Sequence, residues 1–334
     1  MTATTPVRPV LSPASGPTLH FIGVTTGSSS IVRVFPRWAA SLGLHEAGLN
    51  GVDLPLHAPD QEYRRVVEFI RDDPLSRGAL VTTHKLDLYR ACRDLFDVTD
   101  RFAGLMAETS CLSKRSGRLL ASAKDPVSSG LALDAILPPG YWRERGRSAL
   151  VMGAGGSSVA ITWYLTRPAA GDDRPQRITV TDRDPRRLAH LLDLHRQWGT
   201  SVDLRGELVG SASDTDRLLE GLEPGALVVN ATGLGKDRPG SPIGDHALLP
   251  ERAVAWDLNY RGDLQFLRQA RRQAGERAVR CHDGWEYFIH GWTRVIAEVF
   301  DVDIPTRGPA FDVLSDLARD DRPGAPPAPP APTS

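Results

Sequence analysis

Ser148-Ala149-Leu150-Val151-Met152-Gly153-Ala154-Gly155-Gly156-Ser157-Ser158 decides the reading of this chain. A short apolar run leads straight into a turn of small residues. Val159 to Leu165 follows with helical spacing, and Arg177 to Thr181 reads as a second strand. Strand, glycine turn, helix and strand in that order make a mononucleotide-binding half. Gly153, Gly155 and Gly156 lack a Cβ, so with Ala154 and Ser157 they form a turn whose backbone can approach a pyrophosphate. The helix behind it offers its first N–H groups and the positive end of its dipole. A tight turn with no ligand is the plainer alternative.

Asp182 ends the second strand, where a carboxylate can accept the hydroxyl hydrogen bonds of an adenosine ribose and repel a 2′-phosphate. That points to NAD. Arg183 next to it can instead pair with a 2′-phosphate, so NADP stays open. Later strands are expected at Ala226 to Asn230 and Ala253 to Asp257. Asn230-Ala231-Thr232 follows the first of these as a second cofactor-contacting loop.

The pattern on the N-terminal side is also alternating, which argues for an α/β protein with mainly parallel sheets. Leu19 to Val24 reads as a strand, Val32 to Leu42 as a helix stopped by Gly43, and Gly51 to Leu56 as a second strand. Gln61 to Arg71 reads as a helix, Gly78 to Lys85 as a strand, and Leu105 to Leu112 with Arg118 to Ser122 as a strand pair. An amphipathic helix over Trp285 to Phe300 is expected to return to the first domain. The two ends, residues 1–18 and 304–334, read as tails, the first disordered and the second mostly so because of its Pro/Ala-rich run.

At 334 residues the chain is long for one core and suggests two domains. A formal net charge of -1 gives no reason to expect nucleic acid. No run reaches the length of a membrane span, and no secretory leader is visible. Cys92, Cys111 and Cys281 are far apart, which fits a reducing cytoplasm and neither a disulfide framework nor a cysteine metal site. The histidines likewise show no metal-ligand spacing, so no metal is expected.

Only four of the forty basic residues are lysine, namely Lys85, Lys114, Lys124 and Lys236. A lysine can exchange a proton where an arginine cannot. Lys85 closes an apolar-to-polar transition of the kind that ends a buried strand, and ligands of open α/β sheets sit at strand ends. A solvated lysine at a helix start is the alternative.

Six segments in order resemble the shikimate/quinate dehydrogenase family, over roughly Leu19 to Asp303. Val81-Thr82-Thr83-His84-Lys85 looks like its N-V-T-x-P-x-K segment, and Gly117 to Asp125 like G-R-L-x-G-x-N-T-D. Gly153-Ala154-Gly155-Gly156 and Asn230-Ala231-Thr232 match its cofactor turn and N-A-T loop. Trp256 to Tyr260 is similar to its substrate-contacting tyrosine segment. His282-Asp283-Gly284 and the helix after it resemble D-G-x-x-M-L-x-x-Q. The resemblance implies an N-terminal α/β substrate domain (19–140, with return helix 285–303), a C-terminal Rossmann dinucleotide-binding domain (141–284) and a cleft between them. It implies Lys85 and Asp125 as the catalytic dyad, and Ser29, Thr82, Ser110 and Tyr260 as substrate contacts. The reaction would interconvert a secondary alcohol and a ketone on a cyclic polyol. A homodimer is left open.

The chain departs from the family where the substrate is gripped. The S-x-S pair falls on Ser29 and Ile31, with Ser28 or Ser30 available to compensate. One asparagine falls on Ser110 and another on Ala123, and the last glutamine falls on Gly291. Trp285 and Trp292 could stack on a flatter ligand, and Glu108 could pair with an amine. These changes point to the same chemistry on a different ring. The alternatives are a genuine shikimate or quinate dehydrogenase and a non-catalytic regulatory binder.

Overall fold

The computed structural model describes residues 10–144, 147–236 and 238–322. The chain divides into two compact units, residues 1–124 with 291–334 and residues 125–290.

The first unit is built from β1 (Thr18–Gly23), α1 (Ile31–Ser41), β2 (Gly48–Asp53), α2 (Asp60–Asp72) and β3 (Ser76–Val81). It continues through α3 (Lys85–Cys92), β4 (Val98–Thr99), α4 (Arg101–Met106), β5 (Cys111–Arg115) and β6 (Arg118–Ser122). The sheet order is β2-β1-β3-β5-β6-β4. β1 runs parallel to both neighbours, whereas β5 is antiparallel to β3 and to β6. Ser116 and Gly117, at φ 49° and 75°, supply the two left-handed residues of the β5–β6 hairpin. Ile22, Val66, Ile70, Val81 and Leu112 pack the core under α2 and α3.

The second unit holds α5 (Asp125–Ile136), α6 (Tyr141–Glu144), β7 (Ser148–Met152), α7 (Gly156–Thr166), β8 (Arg177–Asp182), α8 (Pro185–Gln197) and β9 (Asp203–Leu208). α9 (Ala212–Glu220), β10 (Leu227–Asn230), β11 (Val254–Asp257), α10 (Gln265–Arg271) and β12 (Arg280–His282) complete it. Its sheet, β12-β11-β10-β7-β8-β9, is parallel throughout. Counted from β7, that is the strand order of a doubly wound dinucleotide-binding sheet. α11 (Trp285–Phe300) starts in this unit and ends in the first, where α12 (Pro309–Arg319) also lies.

Several expectations need correction. The unit boundary lies at 124/125, not 140/141, because α5 packs on α7. Gly130 allows this, since a Cβ there would run into the Tyr164 ring. β2 begins three residues earlier than the apolar pattern suggests, as suits an exposed edge strand with weak alternation. Leu105 and Met106 end α4 rather than start a strand; Asp100 caps that helix by accepting the Ala103 N–H at 2.6 Å. Strand β3 stops at Val81, and Lys85 opens α3.

The tails are also more structured than composition suggests. Leu11 packs against the first core, and Ala14 donates to Asp73. Residues 1–9 and 323–334 lie outside the described residues. Within 304–334, α12 buries Phe311, Leu314 and Ala318, and the Trp38 indole donates to the Leu314 carbonyl at 2.7 Å. Ser30 donates to the Asp321 carbonyl, and Arg33 and Arg37 pair with the Asp321 carboxylate. Among the described residues, no helix is long and apolar enough to cross a membrane.

Leu314→Ala should therefore destabilise the protein by about 2–5 kcal/mol in chemical denaturation. A loss under roughly 0.5 kcal/mol, the size of an ordinary surface change, would mean that α12 does not belong to the fold.

Candidate functional site

Gly153 sits at φ 100°, with its N–H on the Thr181 carbonyl at 2.7 Å. A Cβ at this position would stand 2.8 Å from the Ala231 carbonyl oxygen, so only glycine fits. At Gly155, by contrast, nothing stands within 4 Å of where a Cβ would be. The turn is thus closed against β10 and open on its other side. The first N–H groups of α7, which have no intrahelical acceptor, lie at that turn. These features fit a dinucleotide pyrophosphate.

Asp182 closes the turn from β8. Its Oδ2 accepts the Ala154 N–H at 2.7 Å, and its Oδ1 accepts the Asp184 N–H at 2.9 Å. Asp184 in turn caps α8 and pairs with Arg186, whose guanidinium holds the Asp184 carboxyl down at about 2. Arg183 lies between the two aspartates in the sequence. The carboxylate read as a ribose ligand therefore has a second task, fixing the shape of the glycine turn.

The Asn230-Ala231-Thr232 loop is organised from within. Asn230 is fully buried; its amide donates to the Leu234 carbonyl and to Asp257 Oδ1, and its oxygen accepts from the Thr232 N–H and hydroxyl. Ala231 donates to the Met152 carbonyl at 2.8 Å. The Asn230 side chain, expected as a cofactor contact, makes hydrogen bonds that shape the loop.

Asp257, not foreseen from the sequence, is the acidic centre of that network. Oδ1 accepts from Asn230 and from the Asn259 N–H at 3.0 Å, while Oδ2 is buried with no hydrogen-bond partner. Burial pushes this carboxyl up to about 7 against the pull of its Asn259 and Asn230 donors, and Asp283 adds to the rise.

In the first unit, three of the expected site residues are drawn together by main-chain bonds. Val81 donates to the Ser110 carbonyl at 2.9 Å, Thr109 to the Lys85 carbonyl at 3.3 Å, and Lys85 to the Thr82 carbonyl at 3.2 Å. Lys85 is half-buried at the start of α3, neither at a strand end nor fully solvated. Thr82 Oγ1 donates to the Ile22 carbonyl at 3.2 Å, and Ser110 Oγ accepts the Lys124 N–H at 2.7 Å. Ser29 is buried just past the short helical turn Thr26–Ser28. The neighbours expected to compensate for the missing hydroxyl are engaged, Ser28 with the Thr25 carbonyl and Ser30 with that of Asp321.

Other sequence candidates resolve into packing. Lys124 pairs with Glu298 of α11, whose Oε1 also accepts from Ser122 at 2.7 Å and Ser113 at 2.9 Å. Burial alone would raise the Glu298 carboxyl, but the Lys124 ammonium and these hydroxyls bring it below its ordinary value. His84 is buried against the Tyr63 hydroxyl at 3.0 Å, and burial lowers its pKa. Trp292 stands edge-on to Phe21 with ring centroids 4.9 Å apart. Trp285 stacks on Phe288, which also contacts Tyr260 at 4.6 Å; all three rings are buried, so Trp285 offers no open face to a ligand. Glu108 is wholly buried.

Asp125 opens α5 and is buried. Its carbonyl accepts from the Ser128 and Ser129 hydroxyls, and its Oδ2 lies 3.3 Å from Ser157 Oγ in the first turn of α7. The carboxylate is thereby tied to the glycine turn. Among the described residues, no group of three or more His, Cys, Asp or Glu side chains gathers in a way that could hold a metal.

This is a Rossmann-type dinucleotide cradle with a carboxylate at its lip. No family model matches the chain. Curated relatives do. The shikimate dehydrogenase (NADP(+)) of Symbiobacterium thermophilum is 29% identical over 267 residues, 75% of this chain and 85% of that protein. The Caulobacter vibrioides enzyme of the same name is 28% identical over 244 residues, 73% and 77% of the two chains. Among solved structures, quinate dehydrogenase from Corynebacterium glutamicum in complex with NAD superposes with a TM-score of 0.66 at 18% identity, covering 90% of this chain and 98% of that one. The chain is thus similar to shikimate dehydrogenases over about three quarters of its length, and its fold is that of solved shikimate and quinate dehydrogenases.

The Asp257 carboxyl titrates higher in the folded state than its ordinary 3.8. Between pH 4 and 7 the folded state therefore binds more protons than the unfolded state, and stability falls as pH rises, by at most about 1.4 kcal/mol per pH unit. Asp257→Asn, a mimic of the protonated form, should remove this slope and gain on the wild type at pH 8. Parallel stability curves for the two proteins in urea melts would contradict the assignment.

Proposed function

We propose that the chain is an NAD(P)-dependent oxidoreductase that interconverts a secondary alcohol and a ketone on a shikimate-like cyclic polyol. The observation that carries this reading is the Ser157 hydroxyl, 3.3 Å from Asp125 Oδ2 in the first turn of α7. It links the carboxylate matched to the family's dyad with the turn matched to the family's cofactor site.

A bound nicotinamide supplies the hydride acceptor for oxidation and the donor for reduction. Everything else falls to the chain. Lys85 is assigned the hydroxyl proton, a role worth about 10²–10⁴-fold when the base is well placed. Asp125 is assigned the complementary carboxylate. The α7 N-terminus and glycine turn bind the pyrophosphate, with Ala231 and Thr232 beside them.

NAD is the expected partner, because the Asp182 charge at the tip of β8 opposes a 2′-phosphate. Both cofactors occur among relatives, NADP(+) in the name of the Symbiobacterium enzyme and NAD in the Corynebacterium structure. A substrate other than shikimate is supported by the altered grip. Ile31 and Ala123 are buried apolar groups where the family has polar ones. Gly291 stands where the family has glutamine, and nothing lies within 4 Å of its would-be Cβ. Removing polar partners from a hydroxyl-binding site costs orders of magnitude in selectivity. The free cysteines, with Cys92 and Cys111 buried, are consistent with a cytoplasmic setting.

The test is a cofactor-reduction assay over shikimate, quinate and related cyclic alcohols, with NAD and NADP in parallel. Turnover on a cyclic alcohol that is weak on shikimate is the expected result; efficient shikimate or quinate turnover would make this a genuine dehydrogenase of those acids. Lys85→Ala should lose about 10²–10⁴-fold in kcat while NADH still binds. Full activity in Lys85→Arg would remove Lys85 from its role. Asp182→Asn should lower the NADH-to-NADPH ratio of kcat/KM by at least about tenfold, one interaction of roughly 1.4 kcal/mol.

A further inference from the structure

The polar chain that ends on Asp125 extends beyond the residues assigned so far. Ser157 Oγ lies 3.2 Å from the Tyr287 hydroxyl as well as 3.3 Å from Asp125 Oδ2. A serine hydroxyl has one proton to give. If it goes to the carboxylate, Tyr287 must be the donor to Ser157, and the order is phenol to hydroxyl to carboxylate.

Tyr287 is half-buried in the first turn of α11, its ring edge-on to the wholly buried Trp256 with centroids 6.1 Å apart. The D-G-x-x-M-L segment puts methionine at this position. A thioether cannot donate, so the phenol is a feature of this chain's own site. At 3.3 and 3.2 Å both bonds are longer than the ordinary O–H···O range, as is common before a substrate draws a site together.

We infer that Tyr287 is a positioning residue for Asp125, acting through Ser157. A donor aimed at a carboxylate fixes its orientation. A lone serine in the first turn of a helix does this poorly, because its proton can turn to a backbone carbonyl instead. With its oxygen occupied by the Tyr287 O–H, the Ser157 proton is directed at Asp125. Since Ser157 also belongs to the glycine turn, Tyr287 ties the carboxylate to the dinucleotide cradle without lying in the turn itself.

This inference rests on the role proposed for Asp125, and the experiment separates the two. Tyr287→Phe, Ser157→Ala and the double variant are compared for kcat, KM, NADH Kd and unfolding midpoint. Tyr287→Phe should lower kcat up to about tenfold, the upper worth of one neutral hydrogen bond, with KM and NADH Kd unchanged. Tyr287→Met should match it. The double variant should have the kcat of Ser157→Ala, because a relay in series is broken once. Multiplicative losses, or an unchanged kcat in Tyr287→Phe, would overturn the inference. If the wild type turns over none of the cyclic alcohols, the proposed function fails, and the relay is read from unfolding alone. Each single variant should then lower the midpoint by roughly 2–4 °C, and the double by no more than Ser157→Ala. Additive shifts would refute the relay.

Discussion

Gly153 lies so close to the Ala231 carbonyl that no side chain can stand between them. This contact between the ends of β7 and β10 dictates much of the second unit. It holds the glycine turn against the sheet, leaves the Gly155 side open, and sets the start of α7 where its N–H groups meet an anion. Asp182 completes the constraint by gripping Ala154 from the far side. A cradle fixed at both flanks by neighbouring strands costs little to organise when a ligand arrives, so less of the binding energy is lost to ordering.

The Asn230–Asp257 network serves the same end by different means. A buried polar cluster is expensive unless its members satisfy one another. Here three of the four hydrogen-bonding atoms of the Asn230 and Asp257 side chains are partnered inside the loop, and Asp257 Oδ2 is the exception. A proton on that oxygen relieves the cost of a buried charge, and this explains why burial dominates its titration. The loop bearing Ala231 is thereby held by its own side chains and Asp257.

The Rossmann half was legible because its signals are local. Apolar run, glycines, helix and acidic strand end lie within about forty residues, and each has a mechanism. Lys85 was read at a strand end, with a helix start as the alternative, since the three residues between Val81 and Lys85 make a turn that periodicity cannot separate from strand. The boundary at Asp125 was hidden because it depends on Gly130 meeting Tyr164, a contact across thirty-four residues. Glu298 and Tyr287 were missed for a related reason. Each sits on an amphipathic helix where a polar residue ordinarily faces solvent, and only the fold brings Ser113 and Ser122 to one and Ser157 to the other. The α12 helix was obscured by the Pro/Ala-rich composition that follows it.

The first unit is interrupted by the second, and its two parts are joined by bonds such as Trp38 to Leu314, 276 residues apart. During synthesis the second unit has its full sequence available once residue 290 has emerged. The first must wait with α1 uncovered until α12 leaves the ribosome. Closing so long a loop is slow compared with local folding, so the interrupted unit is the last to finish. For that interval the apolar face of α1 is a surface for chaperones to cover.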